Sequence, residues 1–367
     1  MRKMTPRQRI RAALRGAPHD QVPFTIYWIM LPRGEREARL RRAGLAIVER
    51  LALYWEEHPN CELLQRTYYE RGIKTVRDII RTPVGEATAV RKLGLSYGSE
   101  VYTEHFIKRP QDYRVMAYYA QDAVYHADYD AYHIAVDRLG EDGYVLPHIG
   151  YSPYMLLQQY WLGVERFSLE LAEHPDELFS LYELLCRRYR ELYALYARSP
   201  AEAVLYCGNV VGNVVGPARF QRYIVPCLTE CADMLHEAGK LLGTHLDASI
   251  KNLAPAVAAA PIDIVEAFTP APDCDMSVAD ARQIWPDKVL WCNFPSSMHL
   301  FDAAAIEETT REMLRQSAPG DKLLIGVTED IPEAVMWRSL GVIARTINAE
   351  GRLPIAPCAP MTVTSSP

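Results

Sequence analysis

The chain has 367 residues, 49% of them apolar, and a formal net charge of -6, with a pI near 6.0. A chain of this length buries one large core or two modest ones. Its acidic balance, with no Lys/Arg stripe interleaved with exposed aromatics, excludes nucleic acid and anionic lipid as expected partners.

In chain order, the opening "MRKMTPRQRIRAALRG" reads as a charged helical extension without the apolar core of a signal peptide. No apolar run reaches membrane-spanning length, so a cytoplasmic location with no membrane contact is expected. "VPFTIYWI" (22–29) and "CELLQR" (61–66) are the first strand candidates. "TVRDIIRTPVGEATAVRKLG" (75–94) reads as two strands about a Pro-Val-Gly turn, a β-hairpin inserted after the second barrel strand. Ser96 to Tyr132 is crowded with tyrosine, which suits packing over the barrel mouth, a lid or a homodimer surface.

Downstream, short apolar runs alternate with helical periodicity. "YVLPHIG" (144–150), "AVLYCGN" (203–209), "KLLGTHLD" (240–247), "IDIVEAF" (262–268), "KVLWCNF" (288–294) and "DKLLIGVTE" (321–329) are strands. Helices are expected over Pro217–Glu237, Ser249–Ala259, Ser277–Ile284 and Ala303–Gln316. Eight strands with intervening helices is the count of a (β/α)8 TIM barrel, an α/β fold. The expectation is one barrel domain over residues 1–350 with an insert at about 75–132, followed by a flexible tail over 351–367. The eight cysteines are scattered. Only Cys227 and Cys231 lie one helical turn apart, so most read as buried thiols.

Barrel enzymes carry their chemistry at the C-terminal strand ends. There the sequence places His148, Asn209, His245, Asp247, Glu266, Cys292, Asn293, Glu329 and Asp330. Several interrupt apolar runs, where an unpartnered charge costs several kcal/mol, so each needs a hydrogen bond, an ion pair or a metal. Strand alternation turns His245 and Asp247 the same way. One imidazole with two or three carboxylates suits Zn2+, Mn2+ or Fe2+. Three readings of His-x-Asp stand open at this point: metal binding, capping of the helix that follows, and direct substrate binding. "GNVVG" (208–212) lacks the dinucleotide spacing, and no G-x-S-x-G or Walker sequence is present. Asn209 and His148 are the candidates for contacting a bound cofactor.

The segments "MTPRQRIRAALRGAPHDQVPF", "RTPVGEATAV", "HEAGKLLGTHLDASIKNLAP" and "DMSVADARQIWPDKVLWCNFP" resemble the uroporphyrinogen decarboxylase (URO-D) superfamily, which includes cobamide-linked methyltransferases. The resemblance runs from about Met4 to Ala349 and implies a single (β/α)8 barrel. True decarboxylases carry an Arg-Gln-Ala-Gly-Arg segment after the first strand. Here "YWIMLPRGERE" keeps only Arg33 and Arg36 nearby, so a porphyrinogen lacks its carboxylate clamp. The methyltransferase branch carries a zinc motif of His-x-Cys and a late Cys. "HLD" and "VTEDIPE" stand in those places, so the resemblance implies His245, Asp247 and Glu329 as ligands, with Glu266 as a fourth ligand or a base.

The resemblance thus implies a metal-dependent methyltransferase that moves a methyl group between a small methylated substrate and a corrinoid or thiol acceptor, with Asp247 and Glu266 in the chemistry. Zn2+ is the expected ion, and a separate corrinoid protein the expected partner. The alternatives are a decarboxylase of a small carboxylate, with Asp247 or Glu266 as proton donor, and a non-catalytic tetrapyrrole or corrinoid binder.

Overall fold

The computed structural model describes residues 3–94 and 100–356. Residues 95–99, including the start of the tyrosine-rich segment, and most of the expected flexible tail, from 357 onward, lie outside the described residues. No helix among the described residues is long and apolar enough to cross a membrane.

The barrel begins with β1 (Phe24–Tyr27) and β2 (Leu45–Glu49). An insertion then supplies β3 (Tyr54–Glu57), β4 (Glu62–Glu70), β5 (Ile73–Thr82), β6 (Gly85–Leu93), β7 (Glu100–Glu104) and β8 (Val124–Ala127). The barrel resumes with β9 (Gly143–Val145), β10 (His148–Tyr151), β11 (Ala203–Cys207), β12 (Leu241–His245), β13 (Ile264–Phe268), β14 (Val289–Asn293) and β15 (Leu323–Val327). These nine segments form one parallel sheet in the order β10, β11, β12, β13, β14, β15, β1, β2, β9.

Nine segments occupy eight positions. The expected strand 144–150 is broken at Pro147, which has no N–H to give a ladder. Its first half, β9, pairs with β2, and its second half, β10, pairs with β11. The bonds Leu146 N to Glu49 O (2.9 Å) and Leu205 N to Pro147 O (2.7 Å) carry the ring across the break. The α/β (β/α)8 architecture therefore closes. Tyr27, Val48, Leu205, Ile264, Trp291 and Leu324 fill its interior, joined by Ile10 and Leu14 of the N-terminal helix Pro6–Leu14. That helix starts on a capping box between Thr5 and Gln8. A second core lies between the strands and the outer helices.

Other expectations change as well. Residues 61–66 do not form a barrel strand: from Glu62 they belong to β4, every residue of which is exposed. The second barrel strand is Leu45–Glu49, an apolar run too short to stand out between the arginine-rich helix Glu35–Arg42 and Arg50. The insertion runs from Tyr54 to Ala127, because Tyr132 lies on the crossover helix Tyr129–Leu139. It holds the β4-β5-β6-β7 antiparallel sheet and the β3/β8 pair, and the expected hairpin is β5/β6. Its helix Pro110–Asp122 packs on Pro175–Ala197. Finally, residues 351–356 are tied down: Gly351 O accepts from Val22 N at 2.9 Å, and Ile355 N donates to Pro319 O at 2.9 Å.

The helix expected over Pro217–Glu237 is divided into Pro217–Arg219, a π-helical turn Phe220–Ile224, and Val225–Glu237. Pro226 near the start of the last piece cannot continue the α-helical hydrogen-bond ladder. The helix expected from Ser249 begins only at Ala254, after a 3-10 turn over Lys251–Leu253.

Candidate active site at the barrel mouth

His245 ends β12 and Glu266 lies in mid-β13, and the two are paired in register across the parallel ladder. Parallel neighbours in register point to the same side, so both enter the barrel interior. His245 Nδ1 is 2.6 Å from Glu266 Oε2, and His245 Nε2 is 3.2 Å from Asp247 Oδ2. The Tyr27 hydroxyl donates to Glu266 Oε1. Arg50, just past β2, donates from Nη1 to the Tyr27 hydroxyl at 3.2 Å and lies over its ring. Side chains from β1, β2, β12 and β13 thus form one chain of contacts: Arg50, Tyr27, Glu266, His245, Asp247.

The local backbone is shaped for this. After Glu266 the β13/β14 register shifts by a bulge at Ala267, whose φ of 57 is left-handed. That conformation costs a residue with a Cβ roughly 1–2 kcal/mol, and bulges of this kind re-aim side chains near active sites. At Gly208, past the end of β11, a Cβ would meet the His245 carbonyl oxygen at 2.3 Å. Only glycine lets that loop lie against the histidine.

The charges balance in pairs. Burial opposes protonation of His245, but the Glu266 and Asp247 carboxylates overcome it and push the imidazole up to about 10. Burial likewise opposes the charge on Glu266, which is fully buried, yet His245 and Arg50 hold it below the usual carboxylate range. Asp247 is lowered in the same way by its hydrogen bond to His245. Two cations and two anions therefore cancel, which is what makes their joint burial tolerable. Glu329 behaves differently: burial first, then the Asp247 charge, raises its carboxyl.

The other expected residues are dispersed around this group. Asp247 does not cap the following helix, since the amides of Ile250 and Lys251 go to Asp275 instead. His148 is held by its backbone, with N donating to Leu51 O at 3.0 Å. Burial and the Arg50 charge lower its imidazole to about 4, and its buried Nδ1 has no hydrogen-bond partner. Asn209 is exposed, with a left-handed φ of 52, and donates to the Tyr151 hydroxyl at 3.1 Å. Asn293 is structural, accepting from Thr328 N at 2.9 Å. Sequence reasoning missed Tyr27, Arg50 and Cys274, whose thiol donates to the Asp247 carbonyl at 3.4 Å.

Residues 92–339 match the family model described as Uroporphyrinogen decarboxylase (URO-D). The chain belongs to the URO-D family. Among solved structures, a methyltransferase from Methanosarcina mazei is similar at a TM-score of 0.58 and 12% identity, covering 95% of this chain and 99% of that one. A GH5-4 broad specificity endoglucanase from an uncultured bacterium gives a TM-score of 0.45 at 9% identity, covering 94% of this chain and 96% of that one. No curated protein sequence matches the chain.

The separation of 3.2 Å between His245 Nε2 and Asp247 Oδ2 is close to the ~3.3 Å between two donors on one tetrahedral ion with bonds of ~2.0 Å. Glu266 sits on the other ring nitrogen, the position of the carboxylate that orients a metal-binding histidine. That places Glu266 behind the imidazole rather than beside Asp247. Two donors, His245 Nε2 and Asp247, stand at the spacing an ion at Nε2 needs, while among the described residues Glu329 does not complete a three-residue ligand group with them.

Proposed function

We propose that this URO-D protein is a metal-dependent methyltransferase that moves a methyl group between a small methylated substrate and a corrinoid or thiol acceptor. The observation that carries the reading is the fully buried Glu266 locking His245 by Nδ1 while Nε2 and Asp247 face one another. His245 and Asp247 would hold the ion, with Glu329 as a further carboxylate, and Zn2+ suits a site of one nitrogen and two oxygens. Bound there, the ion supplies Lewis acidity that lowers the pKa of a thiol, hydroxyl or water.

The protein's own groups do the rest. Glu266 fixes the tautomer and tilt of His245, and Tyr27 and Arg50 keep Glu266 ionised where no water can. With an ion at Nε2, His245 would bind as the neutral imidazole, keeping its Nδ1 proton toward Glu266, and the Glu329 carboxyl would lie on the side of Asp247 to share the added charge. Asn209, past the end of β11, and His148, at the start of β10, would be the residues to contact a bound cofactor. A corrinoid, if it is the acceptor, arrives on a separate protein.

Elemental analysis of protein purified without added metal tests the reading. Loss of one equivalent of divalent metal, together with methyl transfer, in His245→Ala relative to the wild type, while the circular dichroism spectrum persists, is the expected result. Metal-free protein that retains activity would overturn it.

A second reading, decarboxylation of a small carboxylate, draws on the proton of His245, whose imidazole is pushed up to about 10, with Glu329 raised by burial beside it. Asp247 and Glu266, held ionised, are poor donors for it. Carbon dioxide release from a candidate substrate by metal-free protein separates the two.

A further inference from the structure

The insertion carries a group of side chains that the barrel site does not use. His58, Cys61 and Asp122 each bring one ligand atom within 4.8 Å of the others. His58 and Cys61 bracket a tight turn between β3 and β4, closed by Cys61 N donating to His58 O at 3.1 Å. Asp122 is the last residue of the helix Pro110–Asp122 and accepts from Asn60 N at 2.8 Å, which holds its carboxylate against the turn.

The imidazole of His58 supplies the independent observation. Its side chain is only 3% exposed, and it stacks on Tyr119 at 4.0 Å between ring centroids. Nε2 faces Glu56 at 3.4 Å, whereas Nδ1 is buried without a hydrogen-bond partner. A buried polar atom left unpaired costs about 1–3 kcal/mol. A carboxylate on one ring nitrogen with the other nitrogen free is how a metal-binding histidine is held.

We propose that His58, Cys61 and Asp122 form a second metal site for a borderline divalent cation such as Zn2+ or Co2+, pinning the β3–β4 turn to the end of the insertion helix. One nitrogen, one sulfur and one oxygen suit these ions better than Mg2+ or Ca2+, and three protein ligands leave a position for water. Binding replaces the Cys61 S–H bond by a sulfur–metal bond, and the proton goes to solvent. The site adjoins a cavity of about 310 Å3 whose wall includes His58, Tyr119, Tyr54, Tyr125 and Tyr160, so the ion also fixes that aromatic wall. This inference is independent of the barrel-site reading.

The test uses the full chain, stripped with chelator and titrated with Co2+, whose bond to a thiolate gives a near-ultraviolet charge-transfer band. The band is expected in the wild type and in His245→Ala, and absent in Cys61→Ser. Glu56→Gln, which removes only the partner behind the ring, should weaken Co2+ binding by roughly tenfold or more. No band in the wild type would overturn the proposal. So would a band that survives Cys61→Ser, because the thiolate ligand would then be another cysteine such as Cys274.

Discussion

Every residue of β13 from Ile264 to Phe268 is buried, and every residue of β4 from Glu62 to Glu70 is exposed. Both are strands, yet they spend their polar residues in opposite ways. On β13 a single glutamate is enclosed and must be satisfied by His245, Tyr27 and, through Tyr27, Arg50. On β4 the polar groups meet water and form surface pairs such as Arg81 with Glu62, worth at most ~1 kcal/mol. The difference teaches where chemistry can be built. A buried charge forces convergence of distant elements, whereas an exposed one leaves its neighbours free.

The sharpest way to break this contrast is to empty the buried position. Glu266→Ala leaves the Tyr27 hydroxyl and His245 Nδ1 without their acceptor in a dry interior. Removing one partner of such a buried group costs about 3–5 kcal/mol. Denaturant unfolding should show that loss, while Glu62→Ala on β4 should shift stability by less than about 0.5 kcal/mol. Equal effects at the two positions would mean that enclosure is not what distinguishes them.

The same contrast explains what could be read before the fold was known. The barrel's second half was legible because fully buried parallel strands are continuous apolar runs between helical stretches. His245, Asp247 and Glu266 stood out because they interrupt or end such runs. Tyr27 and Arg50 gave no local signal: a tyrosine at the end of an apolar strand looks like core, and only closure of the ring carries it to a residue 239 positions away. The His58, Cys61 and Asp122 group was hidden for a related reason, since Asn60 and Asp122 lie 62 positions apart and are joined only by the insertion's folding. β4 misled because "CELLQR" has the apolar content of a strand and no sign of whether either face is covered.

Acid provides a second, smaller test. Burial lowers both His148 and His299 to about 4, against an ordinary value near 6.5. A histidine depressed in the folded state is protonated first in the unfolded chain. Its stabilising contribution is complete above about 6.5 and is lost as pH falls from there toward 4. Between pH 7 and 5 each should remove about 2 kcal/mol of unfolding free energy. His245, raised to about 10, acts in the opposite sense, but its contribution is already complete below about 6.5. Urea melts at pH 7 and 5 should therefore show a net loss, and His299→Asn should shrink it. A pH-independent midpoint would show that these histidines are wetter than their burial implies.

The smallest expected effect lies on the exposed strand itself. Tyr69 is 72% exposed and Leu63 54% exposed, so neither side chain gains much from folding of one chain alone. Tyr69→Ser and Leu63→Thr should each change unfolding free energy by less than about 0.5 kcal/mol, the usual range for surface positions. The same pair also tests whether β4 stays exposed in solution. β4 is an edge strand with unpaired backbone groups along its outer side, the kind of surface that pairs with another strand when nothing covers it. If a second copy of the chain docks there, both substitutions should destabilise by well over that amount, and the loss should depend on protein concentration. Unfolding followed at two concentrations a hundredfold apart decides between the outcomes. A small, concentration-independent change keeps β4 as a free surface and the contrast with β13 intact.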